Sequence, residues 1–85
     1  MMNENKVLVN VIVPIIDRKF DILFPVNKKI GNILKLVDGA LENLDDYYEK
    51  KNTRNLYNKL TGQRYTLDTC VADTDIRNGT ILILK

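Results

Sequence analysis

The stretch VADTDIRNGTILILK, Val71–Lys85, decides how this chain is read. Its aspartates at 73 and 75 and its Asn78-Gly79 pair are turn chemistry, since Asp bonds nearby backbone and Gly accepts positive φ. Thr80 to Leu84 then form an apolar, partly β-branched run, the composition of a strand. Such a strand is sticky unless it buries one face and pairs along both edges. It is therefore expected in the middle of a sheet. Alternation puts Ile81 and Ile83 on one face and Leu82 and Leu84 on the other. The expectation is that the isoleucines face inward.

Upstream, Lys6–Val13 (KVLVNVIV) alternates, with Val7, Val9, Val11 and Val13 on one face and Leu8, Asn10 and Ile12 on the other. The run KFDILFPV, Lys19–Val26, alternates again. Two such runs across a short polar loop predict an antiparallel hairpin. In Asn27–Leu44 the period changes: Ile30, Ile33, Leu34, Val37, Ala40, Leu41 and Leu44 step by three and four, one helical stripe. Asn27 is placed to cap the helix start. Gly31 and Gly39 weaken it, so burial of the stripe must hold it. DDYYEKKNTRN, residues 45–55, reads as a loop, and LYNKLTGQRYTL, residues 56–67, as two short strands about Thr61-Gly62. The order ββαββ predicts an α+β fold: a mixed sheet with one amphipathic helix packed across it, in a single domain of residues 1–85.

Thirteen basic residues against eleven acidic give a net charge of +2, too balanced to imply a nucleic-acid partner. Tyr47, Tyr48, Lys50, Lys51 and Arg54 carry the ingredients of a single-strand surface, but without a wider basic excess nucleic acid is not the expected partner. Cys70 is the only cysteine, so no internal disulfide forms, and a half-buried thiol is its expected role. No signal peptide or bilayer-spanning run is evident, which predicts a cytoplasmic protein with no membrane partner.

The chain has no histidine, the commonest general base near neutral pH, and Cys70 lacks an imidazole partner. Asp45-Asp46 and Asp73/Asp75 suit turns better than catalysis. Counted from Asp73, an EF-hand frame fails at Arg77, Asn78 and Leu84. Asn78-Gly79-Thr80 formally matches a glycosylation acceptor, yet a tight turn with positive φ at Gly79 accounts for it. The protein is not expected to be an enzyme, and no catalytic, metal or cofactor-binding residue is assigned.

The segment Cys70–Leu84, CVADTDIRNGTILIL, resembles the tail pattern of ubiquitin and its β-grasp relatives, with Val71, Ala72, Asp73, Asp75, Ile76, Thr80, Ile81 and Ile83 in the matching places. Element order extends the likeness over nearly the whole chain, and residue pattern carries it over about the last quarter. Length and the NGTILIL ending most resemble the YukD-like proteins of type VII secretion systems. The resemblance implies a ubiquitin-like β-grasp fold and a role in binding a protein, such as a secretion-system component. Ubiquitin and the sulfur carriers act through a C-terminal Gly-Gly. Leu84-Lys85 stands here instead, which implies a non-conjugated member. The alternatives are a modifier or sulfur-carrier relative, or a self-associating structural module.

With the isoleucines inward, Leu8, Ile12, Leu82 and Leu84 would form one apolar patch on the outer sheet face. By analogy that is where ubiquitin relatives bind partners, so these four are the expected partner-binding residues, with Lys6, Arg77 and Lys85 at the rim. A weak homodimer through the same patch, or through an open sheet edge, is the rival use.

Overall fold

In the computed structural model, which describes residues 5–51 and 53–85, the two alternating runs form strands β1 (Lys6–Val13) and β2 (Arg18–Pro25). They pair antiparallel from Lys6↔Pro25 to Val13↔Arg18. A 3-10 turn at Pro14–Ile16 joins them and closes on Asp17, left-handed at φ 52°, whose N–H donates to the Pro14 carbonyl at 3.0 Å. Residues 1–4 of the polar opening and Asn52 of the expected loop lie outside the described residues.

Helix α1 (Ile30–Leu44) follows the predicted stripe. Ile30, Ile33, Leu34, Val37 and Leu41 are buried, while Ala40 and Leu44 stay exposed on the flank facing β2. Asn27 does not cap the helix; the capping position is Lys29, and no side chain caps it. The N–H groups of Ile30 and Gly31 instead donate to the carbonyls of Thr69 (2.9 Å) and Leu67 (2.8 Å). A backbone segment laid across the helix start satisfies these donors, so a capping side chain is not needed. That approach leaves little room at Gly31, where a Cβ would meet the Leu67 carbonyl oxygen at 3.2 Å.

Gly39 differs. A Cβ there meets nothing within 4 Å. Gly39→Ala is therefore expected to stabilise the fold by about 1 kcal/mol, through helix propensity and a less flexible unfolded chain. Urea titration checks this, and an unchanged or lower midpoint would contradict it.

Strands β3 (Leu56–Asn58) and β4 (Ile81–Leu84) complete a four-stranded sheet of order β2-β1-β4-β3. β4 runs parallel to β1 and antiparallel to β3, so the last strand is central, as its composition predicts. The two strands expected in residues 56–67 reduce to β3 and a single bridge, Tyr57↔Arg64. Asn58 is the reason: its Oδ1 accepts the N–H groups of Leu60 (2.9 Å) and Thr61 (3.1 Å), bending the chain before a second strand can lengthen. Gly62, at φ 77°, finishes the turn.

The inward face of β4 corrects the expectation. Leu82 and Leu84 are 0% and 1% exposed, beneath the helix, whereas Ile81 is 37% exposed and Ile83 is half-buried on the outer face. Pairing decides this. Leu82 lies level with Val11, and Leu84 with Leu56, both core residues. Because side chains alternate, a one-residue change of register would exchange the two sets completely.

Candidate functional site

The outer face is built from the alternate residues of all four strands. Leu8 and Leu23 sit opposite each other on β1 and β2, 47% and 56% exposed. Ile81 lies beside Asn10, and Ile83 stands between Ile12 and Tyr57. These side chains form an apolar field across the sheet, larger than the scattered single residues normal on a surface. Of the expected partner-binding residues, Leu8 and Ile12 are therefore in place. Leu82 and Leu84 are not, since both belong to the core. Ile81, Ile83, Leu23 and Tyr57 stand on the outer face with Leu8 and Ile12 instead.

The face is also basic. Strand alternation puts Lys6, Lys19 and Lys85 on it, together with Lys59, whose N–H donates to the Ile81 carbonyl at 3.0 Å, and Arg64, bridged to Tyr57. Asp21 is the acidic counterpart there, and its Oδ1 accepts from Asn10 Nδ2 at 3.1 Å. The Lys85 ammonium lies 5.1 Å from the centre of the Tyr57 ring, a cation–π distance. A charge that is nearly balanced over the whole chain is thus weighted toward the positive on this face, with five basic side chains to one acidic among the described residues.

The turn before β4 holds one corner of this face. Asn78 Oδ1 accepts the N–H of Leu8 at 2.8 Å, and the N–H of Gly79, at φ 89°, donates to the Leu8 carbonyl at 2.8 Å. Arg77, expected at the rim, instead donates to the carbonyls of Thr74 and Ile76 at 2.9 and 2.8 Å, bracing the turn.

No protein-family model and no curated protein sequence matches the chain. Solved structures do. A chain of an ESX-5 inner membrane complex superposes with a TM-score of 0.72 at 18% identity, covering 96% of this chain and 21% of that one. The present chain thus spans about a fifth of that protein's length. Caldiarchaeum subterraneum ubiquitin gives a TM-score of 0.68 at 14% identity, over 93% of this chain and 90% of that one. An N-terminal ubiquitin-like domain solved in solution gives 0.75 at 13% identity, over 98% and 76%. The fold is a ubiquitin-like β-grasp.

Other candidate residues of this ubiquitin-like chain fall into structural positions. Tyr48 and Arg54, read as possible nucleic-acid contacts, are turned inward onto Asp38 of α1. The Tyr48 hydroxyl donates to the Asp38 carboxylate, and Arg54 Nε lies 3.7 Å from the same oxygen. The guanidinium also stacks 4.6 Å above the Tyr48 ring and donates to the Glu49 carbonyl at 2.7 Å. Burial, reinforced by the Asp38 carboxylate, pushes the Tyr48 hydroxyl far above its ordinary pKa, keeping it a protonated donor. Sequence reading missed Asp38, although a signal existed: four residues after Leu34 and three before Leu41, it falls on the apolar stripe.

Asp75 accepts from the Tyr65 hydroxyl at 2.6 Å, and Asp45 accepts the N–H of Tyr47 at 2.8 Å, both turn-bracing roles. Burial raises the Tyr65 pKa, and Asp75 adds to the shift. Cys70 is half-buried, its Sγ 3.8 Å from the Asn27 carbonyl. Among the described residues no cluster of three His, Cys, Asp or Glu side chains could hold a metal, and no helix is long and apolar enough to cross a membrane.

Proposed function

We propose that this chain is a ubiquitin-like protein-binding module of the bacterial cytoplasm, acting by docking rather than catalysis and serving a type VII secretion apparatus. The observation that carries the reading is the outer sheet face: an apolar centre of Leu8, Leu23, Ile81 and Ile83 ringed by five basic side chains. Such a face suits a partner whose apolar patch is rimmed by Asp and Glu. Burial of the apolar centre supplies affinity, and the charges supply orientation and a faster encounter. The likeness to a chain of the ESX-5 inner membrane complex supports the secretion context.

The experiment is titration calorimetry against the soluble cytoplasmic parts of the type VII membrane complex from the same cell. Leu8→Asp combined with Ile81→Asp puts two carboxylates on the exposed centre, where they can stay hydrated, so the fold should survive. Affinity should fall at least about 100-fold, as expected for losing central anchors of an interface. Unchanged affinity in the folded double variant would sink the assignment of this face.

A further inference from the structure

Apart from its outer face the sheet presents the edge of β2, whose hydrogen-bonding groups can be assigned. The N–H of Val26 donates to the Asn5 carbonyl at 2.8 Å, and the Leu8 and Asn10 N–H groups turn toward the β4 side. Antiparallel alternation then directs the backbone groups of Phe20, Ile22 and Phe24 toward β1 and those of Lys19, Asp21 and Leu23 outward. β2 is first in the strand order, so among the described residues these outward groups face no strand of the sheet. On the inner side of the same edge runs an apolar groove of about 410 Å³ between β2 and α1, with exposed Leu36 and Leu44 on its helix wall.

We propose that β2 pairs antiparallel with β2 of a second copy of this chain, about a two-fold axis through Phe20, joining two four-stranded sheets into one of eight. Charge complementarity selects this occupant and this register. Centred on Phe20, the pairing sets Lys19 opposite Asp21 of the second copy and Asp21 opposite its Lys19, both ion pairs on the outer face and both hydrogen-bonded backbone pairs. Centred on Asp21, it would set like charges directly opposite, which is destabilising. Centred on Ile22, it would match Lys19 with Pro25, which has no N–H to give.

The Phe20-centred register also brings the two Phe20 rings together beside the groove, each already 4.9 Å from an Arg18 guanidinium. The axis is perpendicular to the sheet, so both helices lie on one side and the two grooves open toward each other. A strand pair of about five residues with these groove walls falls at the small end of specific interfaces, so the dimer is weak and concentration-dependent. This inference does not rest on the partner assigned to the outer face.

The test is sedimentation equilibrium from about 10 µM to about 1 mM, the range in which a weak dimer dissociates. Wild type should move from monomer toward dimer across it. Asp21→Lys and Lys19→Asp each set like charges opposite one another and should weaken association at least about tenfold, while K19D/D21K in one chain restores the pairs and the dimer. Hydrogen exchange adds an independent readout, with the Lys19 and Asp21 amides protected only at high concentration. Wild type remaining monomeric at about 1 mM, which would leave the edge to a strand of another protein, overturns the proposal. So does a single variant that dimerises as wild type, or a swap that fails to restore the dimer. Leu8→Asp with Ile81→Asp should leave association unchanged; its loss would move the contact to the outer face and also overturn the proposal.

Discussion

Leu82→Asp is expected to unfold this protein at room temperature, while Ile81→Asp, one residue earlier, leaves it folded. Leu82 is 0% exposed, level with Val11 beneath α1. The substitution removes a buried Leu and inserts a carboxylate with no cation beside it. The lost packing and the charge, or the proton taken up to remove it, together cost about 5 kcal/mol or more. An 85-residue domain has a total stability of about 4–13 kcal/mol, so the loss consumes much or all of it. Ile81 lies on the outer face among lysines, where the same carboxylate keeps its water. Circular dichroism melts separate the two variants. A cooperative wild-type-like melt for Leu82→Asp, or loss of structure for Ile81→Asp, would show that the β4 faces are assigned the wrong way round.

The second large effect is expected at Asp38. Its carboxylate accepts from the Tyr48 hydroxyl and faces the Arg54 guanidinium, both side chains being about 8% exposed. Among the described residues Arg54 Nε is buried without a hydrogen-bond partner, and Asp38 is the carboxylate that faces the guanidinium. The guanidinium's other contacts, the Glu49 carbonyl and the Tyr48 ring, carry no formal charge. Asp38→Ala leaves that cation buried and uncompensated, and the expected loss is about 3–5 kcal/mol. Combining it with Arg54→Leu removes the stranded charge and should recover part of the loss, because an ion pair replaced whole costs less than one broken in half. Urea unfolding of the two single variants and the double variant gives the cycle. A loss below about 1 kcal/mol for Asp38→Ala would mean that solvent, not Asp38, compensates Arg54.

Much of the candidate site could be read from the chain, and the part misread had a signal in it. Leu8 and Ile12 lie on the outer face as alternation with the buried Val9, Val11 and Val13 predicts, and their own alternation mates, Lys6 and Asn10, are polar. The same rule applied to β4 groups Ile81 and Ile83 with Lys85, which marks the isoleucines as the outer set. Applied to β2, it groups Leu23 with Lys19 and Asp21. The loop after the helix was harder. Tyr48 and Arg54 look like surface residues in a polar segment, and only the chain's return past α1 brings them onto Asp38. Asn27 shows the reverse: a suitable capping residue goes unused because distant backbone carbonyls reach the helix first.

Periodicity along the chain determined the hairpin, the helix and the last strand and their order, since alternation, helical spacing and turn residues are local properties. The apolar composition of the last strand called for a central place. Periodicity also sorted the residues of each strand into two sets. That Ile83 lies between Ile12 and Tyr57, and that five basic side chains gather on one face of a nearly neutral chain, depended on how separate strands pair. That pairing is a relation between residues far apart in sequence. It fixes side-chain direction in whole-residue steps, so the tertiary structure alone could decide it.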